Sequence, residues 1–431
     1  MRVLVVGGGG REHAILRKLK KSPDVTELFA APGNGGIGFD AVCVPIGTGE
    51  LARLAEFAAE EKMDYVVVAP DDPLAGGLVD LLRERGIPAF GPDRKAAVIE
   101  SSKVFAKNLM KKYGIPTAGY QAFGDAAEAE AYLREQNRYP VVVKADGLAL
   151  GKGVLICEDE AQALGAVRSI LEEHRFGASG SRIVIEEFLT GPEVSVLTFT
   201  DGKTIVPMVS SMDHKRALDG DRGLNTGGMG TVAPNPFYTP EIAERCTETI
   251  FRPTVAAMNA EGRPFRGCLY FGLMLTPDGP RVIEYNCRFG DPETQVVLPL
   301  LESDLFAVMR ATTDGSLEDC PVRFSGRAAA CVVLASGGYP EAYETGKRIH
   351  GLTDGQLTGS GATVYHAGTA QRDGALVTAG GRVLGVSAVE DTLPEALKTA
   401  YAAAERISFE GVRFRRDIGR RALAAENGGE A

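Results

Sequence analysis

Apolar runs alternate with amphipathic stretches over the first hundred residues. Strands are predicted for the apolar runs at 3–6, 28–31, 42–44, 65–69 and 89–90. Helices are predicted between them, over 12–21, 50–61 and 78–85. The continuous run at 65–69 is typical of a strand buried in a parallel sheet. The pattern indicates a doubly wound α/β unit that binds ligands beyond the carboxyl ends of its strands.

A different pattern begins after a helix predicted over 101–113. Strands at 140–144 and 154–156 flank a glycine-rich loop at 145–153, and this arrangement predicts a hairpin flap. The loop is not a Walker A motif, because its glycine spacing is one residue short and Gly153 stands in place of Ser or Thr. Lys144 and Lys152 are placed to reach phosphate oxygens. The alternative interpretation is a solvated turn that carries two lysines.

The strand predicted at 182–187 ends in Glu-Glu-Phe-Leu and is followed by Gly191 and Glu193. Such a linker can meet an adenine edge with its backbone and ribose hydroxyls with its acid; the alternative is a solvated strand end. After a further strand at 194–200, the segment 210–230 has no periodicity. Long loops within compact domains are usually functional or disordered, and its mixture of charges and glycines favours a ligand-binding loop.

A helix over 240–259 leads to strands at 267–275 and 281–286, the second of which carries Glu284 and Asn286. Residues two apart on a strand leave the same face. A carboxylate beside an amide oxygen suits a hard divalent cation that takes its other ligands from water and phosphate. Arg288 adds a fixed positive charge two residues later. Considered alone, the pair also fits a strand with a polar, solvated face.

The last hundred residues form a separate pattern after a helix predicted over 303–314. Strands at 328–335, 362–366 and 383–388 and a helix over 393–407 predict a small α/β end domain. The predicted domains are therefore 1–102, 103–325 with a flap subdomain at about 118–190, and 326–431. Arg382, after two glycines, could face an anion, although such arginines are more often solvated.

Composition narrows the classes of function. The chain has 431 residues, 44% of them hydrophobic and 24% charged, which is ordinary for a globular protein of several domains. A net charge of −10 argues against non-specific nucleic-acid binding and against an anionic-membrane surface. The seven scattered cysteines form neither a disulfide frame nor a zinc motif. No apolar run approaches a membrane span. We expect a cytoplasmic protein.

The glycine run at 7–10 invites a dinucleotide-binding interpretation, which the spacing does not support. G-x-G-x-x-G fails, because its last position falls on Glu12 or His13. The second predicted strand also lacks the acid that would hold a ribose diol. A glycine loop that opens a helix can still bind a substrate phosphate, and Arg11 adds charge.

Flap, linker and Glu-x-Asn strand, in this order after an α/β domain, resemble the ATP-grasp ligases. Within them, the chain resembles the phosphoribosylamine–glycine ligase family, also called glycinamide ribonucleotide synthetases. The motifs that carry the resemblance span nearly the whole chain: GGGGREHA (7–14), APGNGGI (31–37), KADGLALGKGV (144–154), IEEFLTGPE (185–193), DHKR (213–216), NTGGMG (225–230), VIEYNCRFGDPETQ (282–295), SGGYP (336–340), HAGT (366–369) and GGRVLG (380–385).

The resemblance implies an α/β and α+β multidomain fold: a doubly wound N-terminal domain, an ATP-grasp core with a flap subdomain, and a C-terminal domain. It implies ATP-dependent ligation of glycine to 5-phosphoribosylamine through glycyl phosphate, the second step of de novo purine biosynthesis. The implied partners are these small molecules, without nucleic acid or membrane, and a monomer is expected. The implied cofactors are ATP and Mg²⁺, for which Mn²⁺ can substitute.

The resemblance also implies roles for individual residues. Those expected to bind the nucleotide are Lys103, Lys144, Gly151, Lys152, Gly153, Glu186, Glu187, Phe188, Leu189 and Glu193. Those expected to bind the metal are Glu284 and Asn286. Those expected to bind glycine and phosphoribosylamine are Gly9, Gly10, Asp213, Asn225, Gly227, Gly228, Met229, Arg288, Asp291 and Arg382. Those expected to act in catalysis are Arg288, Lys144, Lys215 and Asp213.

One departure from the superfamily concerns the metal. Many ATP-grasp relatives carry a metal-binding Glu on the strand at 267–275, which here has no acid. We therefore expect only Glu284 and Asn286 to hold magnesium from the protein side. The alternatives are another ATP-grasp carboxylate ligase, such as a biotin carboxylase, and a nucleotide-binding regulator that has lost catalysis. The second predicts loss of a metal ligand or of Arg288, and both are present.

Overall fold

The structure, a computed structural model, describes residues 1–149 and 153–426. The predicted nucleotide ligands Gly151 and Lys152 lie outside these residues. Within the described ranges, no helix has the length and apolar character needed to cross a membrane.

The N-terminal unit is a five-stranded parallel sheet in the order β3-β2-β1-β4-β5, so the predicted doubly wound fold is confirmed. Its strands and helices are β1 (Arg2–Gly7), α1 (Gly10–Leu19), β2 (Glu27–Pro32), β3 (Val42–Cys43), α2 (Leu51–Glu60), β4 (Tyr65–Val68), α3 (Asp71–Gly76), α4 (Leu78–Glu84), β5 (Ala89–Phe90) and α5 (Arg94–Ser101). Sequence patterning missed α3 and α5, which are short helices of six and eight residues.

The flap lobe, which we define as residues 118–190, is a four-stranded sheet covered by two helices. After α6 (Lys103–Tyr113), its elements are β6 (Tyr120–Phe123), α7 (Ala126–Gln136), β7 (Val141–Ala145), β8 (Val154–Cys157), α8 (Glu160–Leu171) and β9 (Ile183–Glu187). The sheet order is β6-β9-β7-β8, and β7 and β8 pair antiparallel with Lys144 opposite Val154, as the predicted hairpin requires. A separate hydrophobic core fills this lobe.

The central unit follows and shares its core with the N-terminal unit. Its elements are β10 (Glu193–Thr200), β11 (Ile205–Pro207), β12 (Met212–Asp213), β13 (Arg216–Leu218), β14 (Arg222–Asn225), β15 (Gly230–Ala233), α9 (Pro240–Cys246), α10 (Arg252–Ala260), β16 (Gly267–Thr276) and β17 (Gly279–Asn286). A π-helical turn, Thr247–Phe251, joins α9 to α10, so the helix predicted over 240–259 is continuous but irregular. Phe271 of β16 and Val68 of β4 belong to one buried cluster.

The remaining elements form the C-terminal part of the molecule. They are α11 (Thr294–Leu300), α12 (Leu305–Asp314), β18 (Ala328–Ala335), β19 (Ala362–His366), β20 (Thr369–Arg372), β21 (Ala375–Thr378), β22 (Arg382–Glu390), α13 (Leu393–Ala404) and α14 (Arg420–Glu426). Two strands of the segment 210–230 join this sheet, whose order is β12-β15-β18-β22-β19. About half of the segment expected to be one loop is thus in strands of two to four residues, too short to show a period.

Two buried histidines join the N- and C-terminal units. The backbone N–H of His366 donates to His13 Nδ1 at 2.8 Å, and His13 Nε2 lies 3.0 Å from an Asp40 carboxylate oxygen. His366 Nε2 lies 2.8 Å from the Gly355 carbonyl oxygen, which can only accept. His13 is therefore neutral, because its Nδ1 accepts. Burial lowers the pKa of His366 to about 4, so this ring is also neutral at pH 7.

Candidate active site

A single cavity of about 970 Å³ lies between the flap lobe, the central sheet and the C-terminal sheet. Most of the residues singled out from the sequence line it: Lys103, Lys144, Gly153, Glu186, Glu187, Phe188, Leu189, Glu193, Asp213, Lys215, Asn225, Gly227, Glu284, Asn286, Arg288, Asp291 and Arg382. The cavity therefore unites segments that are separated by up to nearly three hundred residues of sequence. We call α6, the β7–β8 hairpin and residues 186–193 the nucleotide wall, and residues 213–230 with Asp291 and Arg382 the acceptor wall.

Glu284 and Asn286 lie near the end of β17 and both face the cavity. Glu284 stands opposite Gly272 of β16, where a Cβ atom would come within 3.1 Å of its Cγ. Glycine on the neighbouring strand thus makes room for the carboxylate. Burial raises the pKa of Glu284, but the positive charges of Lys215, Lys144 and Lys103 outweigh it. The pKa of Glu284 ends below its ordinary value, and the group is an anion at neutral pH.

The donor set at this point fits a magnesium ion. Among the residues that the structure describes, none forms a hydrogen bond or ion pair with the Glu284 carboxylate, which is held ionised by charges farther away. Within the described parts of the chain, Asn286 Oδ1 accepts only from Arg288 Nη2, at 3.1 Å. One free carboxylate and one amide oxygen are hard ligands that leave most of an octahedral shell for phosphate and water.

A buried ion network lies beneath the nucleotide wall. Lys107 Nζ is 2.8 Å from Glu186 Oε2, and Lys144 Nζ is 3.0 Å from each oxygen of the same carboxylate. Lys144 also donates to the Ile283 carbonyl oxygen at 3.1 Å, next to Glu284. Burial lowers the pKa of Lys107 to about 8. Two lysines on one carboxylate leave a net positive charge at this wall.

Lys107 was not singled out from the sequence, although its spacing offered a signal. It stands four residues after Lys103, so both side chains leave the same face of α6. Lys103 Nζ donates to the Gly147 carbonyl oxygen in the flap at 3.0 Å. Burial lowers the pKa of Lys103, and Glu284 acts in the opposite direction. Asp146 holds the helix to the flap, because its Oδ1 accepts from the Val104 N–H at 2.8 Å.

Arg288 is held by Glu100, an acid that the sequence analysis did not single out. Its Nη2 lies 3.1 Å from Glu100 Oε1, and the other oxygen of Glu100 accepts from the Cys287 N–H at 2.7 Å. Burial would lower the pKa of Arg288, but Glu100 and Asp71 raise it above its ordinary value. The buried Nε of Arg288 has no hydrogen-bond partner among the described residues. The guanidinium therefore has donor capacity left for an anion in the cavity.

The end of β9, the linker after it and the start of β10 place four predicted residues on the cavity surface: Glu187, Phe188, Leu189 and Glu193. Glu187 Oε1 accepts from the Gly119 N–H at 2.9 Å and from Arg281 Nη1 at 2.8 Å. Its side chain thus fixes the linker at the base of the flap lobe. Phe188 is 38% exposed, an unusual position for a phenylalanine, and its ring is available to cover a bound group.

The acceptor wall carries two charges that the sequence singled out. Lys215 Nζ pairs with Glu193 Oε2 at 2.9 Å, which raises the pKa of Lys215 well above its ordinary value. Burial and the charge of Glu293 raise the pKa of Asp213 well above its own. Glu293 is buried, and its Oε1 accepts from the Tyr270 hydroxyl at 3.1 Å. Acids and an amine group therefore converge near Glu284, whose charge also raises the pKa of Lys215.

Arg382 joins two remote parts of the acceptor wall. Its Nη1 donates to the carbonyl oxygens of Gly227 at 2.6 Å and Asp291 at 2.7 Å, and its Nη2 lies 3.3 Å from Asp291 Oδ2. Burial raises the pKa of Asp291, but Arg382 and Arg11 outweigh it and hold the pKa below its ordinary value. Arg382 is thus a structural brace as well as a lining residue.

Four residues predicted to contact substrate are not part of the cavity lining that the structure describes: Gly9, Gly10, Gly228 and Met229. Met229 is 2% exposed and packs in the protein interior, so direct contact with substrate is not supported for it. The Gly9 N–H donates to Glu12 Oε2 at 2.6 Å, which occupies the donor expected for a phosphate. Gly228, at φ +111°, lets the chain pass beside Asp213.

Comparison with known proteins adds independent information. Residues 1–100, 101–294 and 329–421 match the N domain, the ATP-grasp (A) domain and the C domain of phosphoribosylglycinamide synthetase. The chain is 47% identical over 418 residues to a phosphoribosylamine–glycine ligase of Caldanaerobacter subterraneus, covering 97% of this chain and 99% of the relative. It is also 47% identical over 426 residues to the human trifunctional purine biosynthetic protein adenosine-3, covering 98% of this chain and 42% of that protein.

Solved structures agree. The crystal structure of a phosphoribosylamine–glycine ligase from Thermotoga maritima superposes with a TM-score of 0.85 at 36% identity, over 97% of this chain and all of that one. The biotin carboxylase domain of a Hydrogenobacter thermophilus 2-oxoglutarate carboxylase has a TM-score of 0.74 at 19% identity, over 96% of this chain and 91% of that one. The second likeness shows a shared fold and nothing more.

Proposed function

Because this chain belongs to the phosphoribosylamine–glycine ligase family, we propose that it joins glycine to 5-phosphoribosylamine. ATP is consumed, and the products are glycinamide ribonucleotide, ADP and phosphate, which is the second step of de novo purine biosynthesis. The observation that carries the proposal is the free carboxylate of Glu284, held between a lysine-rich wall and a wall of acids and arginines in one cavity.

The chemistry requires activation of a carboxylate. An amine cannot displace oxide from the glycine carboxylate, whose charge repels nucleophiles. The carboxylate oxygen first attacks the γ-phosphorus of ATP, which breaks the bond to ADP and forms glycyl phosphate. The nitrogen of phosphoribosylamine then attacks the carbonyl carbon, phosphate leaves, and the nitrogen loses a proton. The protein contributes positioning and charge stabilisation, as in phosphoryl transfer generally.

Each wall has its own task. Glu284 and Asn286 hold magnesium, which when bound neutralises charge on the β- and γ-phosphates. Lys103, Lys144 and the flap residues Gly151–Gly153 cover the phosphates, and the linker at 186–189 holds adenine with Glu193 at the ribose. Arg288 stabilises the transferred phosphoryl group through its free donor. Asp213, Lys215, Asn225 and Gly227 position the two substrates that form the new bond.

The proposal extends to the domains of the chain, its oligomeric state, its choice of metal and the movement of the flap lobe. Units at 1–102, 103–325 and 326–431 act together in a cytoplasmic monomer, and Mn²⁺ can replace Mg²⁺. The separate core of the flap lobe supports movement of that lobe as a unit, which would shield glycyl phosphate from water. Sedimentation of the purified protein, and turnover with each metal after chelation, test the oligomeric state and the metal choice.

One assay separates the candidate reactions. ADP release is measured with glycine plus freshly made phosphoribosylamine, and in parallel with bicarbonate plus biotin. The proposal predicts turnover that requires both glycine and the ribosylamine. Turnover with bicarbonate and biotin instead would place the chain among the carboxylases, and binding of ATP without any turnover would indicate a regulator.

A further inference from the structure

The segment Arg415–Gly419, which we call the C-terminal clamp, lies against the acceptor wall but outside the reacting centre. We propose that the clamp, through the guanidinium of Arg415, positions the hairpin β13–β14 and thereby sets Asp213 and Lys215 for the substrates. Arg415 is in this account a positioning residue rather than a catalytic one. The inference rests on the proposed function of the acceptor wall.

Arg415 is the centre of the clamp. Its side chain is 2% exposed, although it carries a permanent charge. Its Nε and Nη2 form a two-point pair with the oxygens of Asp417, both at 2.8 Å. Its Nη1 crosses to the hairpin, where it donates to the Arg216 carbonyl oxygen at 3.1 Å and to Asp221 Oδ1 at 2.8 Å. Only a planar fork can make both sets of bonds at once.

The turn of the hairpin is tied to the same segment by its backbone. The Gly220 N–H donates to Asp417 Oδ2 at 2.7 Å, and the Arg416 N–H donates to Asp219 Oδ1 at 2.8 Å. The hairpin itself offers little apolar anchorage, because Leu218 and Leu224 are 46% and 52% exposed. Its position therefore depends on these polar contacts more than on a core.

The foot of the hairpin is tied by His214, between the two residues that reach the cavity. His214 Nε2 accepts from the Gly419 N–H at 3.0 Å, so the ring is neutral and its Nδ1–H donates to the Gly230 carbonyl oxygen at 3.1 Å. Asp213 and Lys215 flank this residue, and both side chains line the cavity. The clamp thus holds the hairpin at its turn and at its foot.

The chain that follows the clamp also reaches the cavity. Two residues after it, Arg421 of α14 contributes to the cavity lining. Among the described residues, the clamp forms no hydrogen bond or ion pair with those assigned to the nucleotide; the acceptor wall meets them at Lys215, which pairs with Glu193 at 2.9 Å. A defect in Arg415 is expected to affect the substrates that form the new bond and to spare ATP.

The test compares Arg415→Lys with Arg416→Ala, a matched control because Arg416 is adjacent, with an exposed side chain that pairs with Glu405. KM and kcat are measured separately for ATP, glycine and phosphoribosylamine. We expect Arg415→Lys to lower kcat/KM for glycine and phosphoribosylamine at least about tenfold, with the KM for ATP changed less than about twofold. Arg416→Ala is expected to match the parent protein in all three.

A second variant distinguishes a loss of positioning from a loss of folding. Asp417→Asn keeps an acceptor for Gly220 but weakens the pair with Arg415, and it should shift the same two kinetic parameters in the same direction by a smaller factor. Unchanged substrate kinetics in folded Arg415→Lys and Asp417→Asn, or an equal loss for ATP, would overturn the clamp. If Asp213→Asn also leaves turnover unchanged, the proposed function of the acceptor wall fails; if Asp213→Asn alone is impaired, only the clamp fails.

Discussion

The two walls of the cavity are built in different ways. The nucleotide wall comes from one stretch of chain, from α6 through the flap lobe to residue 193, and the lobe has its own core. The acceptor wall is assembled from the hairpin at 213–230, Asp291 and Arg382, with the C-terminal clamp behind it. A wall built from one stretch of chain can move as a unit. In a wall built from remote segments, the placement of the side chains depends on the packing that joins those segments.

Their charges differ as well. On the nucleotide wall Lys107 and Lys144 share the single carboxylate of Glu186, which gives this cluster a surplus of positive charge. On the acceptor wall Arg382 is matched by Asp291, and Lys215 pairs with Glu193 of the nucleotide wall. Surplus positive charge attracts a polyphosphate, and balanced charge suits small substrates that carry both signs. The difference implies that mutations should divide by wall into those that affect ATP and those that affect the other substrates.

The largest effect is expected at Glu284, the proposed metal ligand. Glu284→Gln preserves size but removes the negative charge, so kcat should fall on the order of 10³-fold because a preorganised charge at the phosphates is lost. ADP release at saturating substrates, across a magnesium titration, measures this. Glu135→Gln on the exposed face of α7 is the control. Activity near that of the control at ordinary magnesium would show that Glu284 does not hold the metal.

Arg382→Lys should weaken the acceptor wall alone. Lysine keeps the charge but has one nitrogen, whereas Arg382 uses Nη1 for the Gly227 and Asp291 carbonyl oxygens and Nη2 for the Asp291 carboxylate. We therefore expect kcat/KM for glycine and phosphoribosylamine to fall by about 10–100-fold. The KM for ATP should stay within about twofold. Steady-state kinetics with each substrate varied in turn measure the split, with exposed Arg372→Lys as control. A parallel rise in the KM for ATP would contradict the division into walls.

Lys107→Met should weaken the nucleotide wall alone. Glu186 loses one of its two cations, so the KM for ATP should rise about tenfold and the free energy of unfolding should fall by about 3 kcal/mol. Kinetics and chemical denaturation measure the two effects. Lys111→Met, four residues along α6 and exposed, is the matched control. An increase in the KM for glycine as large as that for ATP would argue against a nucleotide-specific role.

The smallest expected effect is a loss of folding stability at acidic pH. Burial lowers the pKa of His214 and of His366 to about 4, below the ordinary value of about 6.5 in the unfolded chain. The unfolded state therefore binds more protons between these values, and stability falls as pH drops from about 6.5 towards 4. At pH 5.5 each histidine should cost about 1.4 kcal/mol. Thermal unfolding at pH 7.5 and 5.5 measures the loss.

This loss of stability at low pH should arise on the side of the acceptor wall. His214 supports the hairpin, and His366 joins the C-terminal unit to His13. His350→Gln, at an exposed position, should leave the pH dependence unchanged. A melting temperature that does not fall between the two pH values would show that these buried rings are not neutral in the folded protein.

The contrast between a wall built from local segments and a wall built from remote ones also explains which features could be predicted from the sequence. The flap hairpin, the linker at 186–189 and the Glu284–Asn286 strand are local patterns, and each forms the element expected of it. The segment 210–230 was expected to be a loop, because two- to four-residue strands carry no period. One of them, β15, pairs with β18, about a hundred residues later. Glu100 and the clamp became visible only through tertiary contacts, since nothing near them in sequence indicates their partners. Lys107 offered only its helical spacing from Lys103, which does not indicate its partner Glu186.

The most direct test of the two-wall account is nucleotide binding by two variants. Calorimetric titration with a non-hydrolysable ATP analogue and magnesium is carried out on Asp213→Asn and Glu284→Gln. The account predicts that Asp213→Asn binds within about twofold of the parent protein while losing turnover with glycine and phosphoribosylamine. It predicts that Glu284→Gln binds at least about tenfold more weakly when magnesium is present. Equal loss of nucleotide affinity in both variants would contradict it.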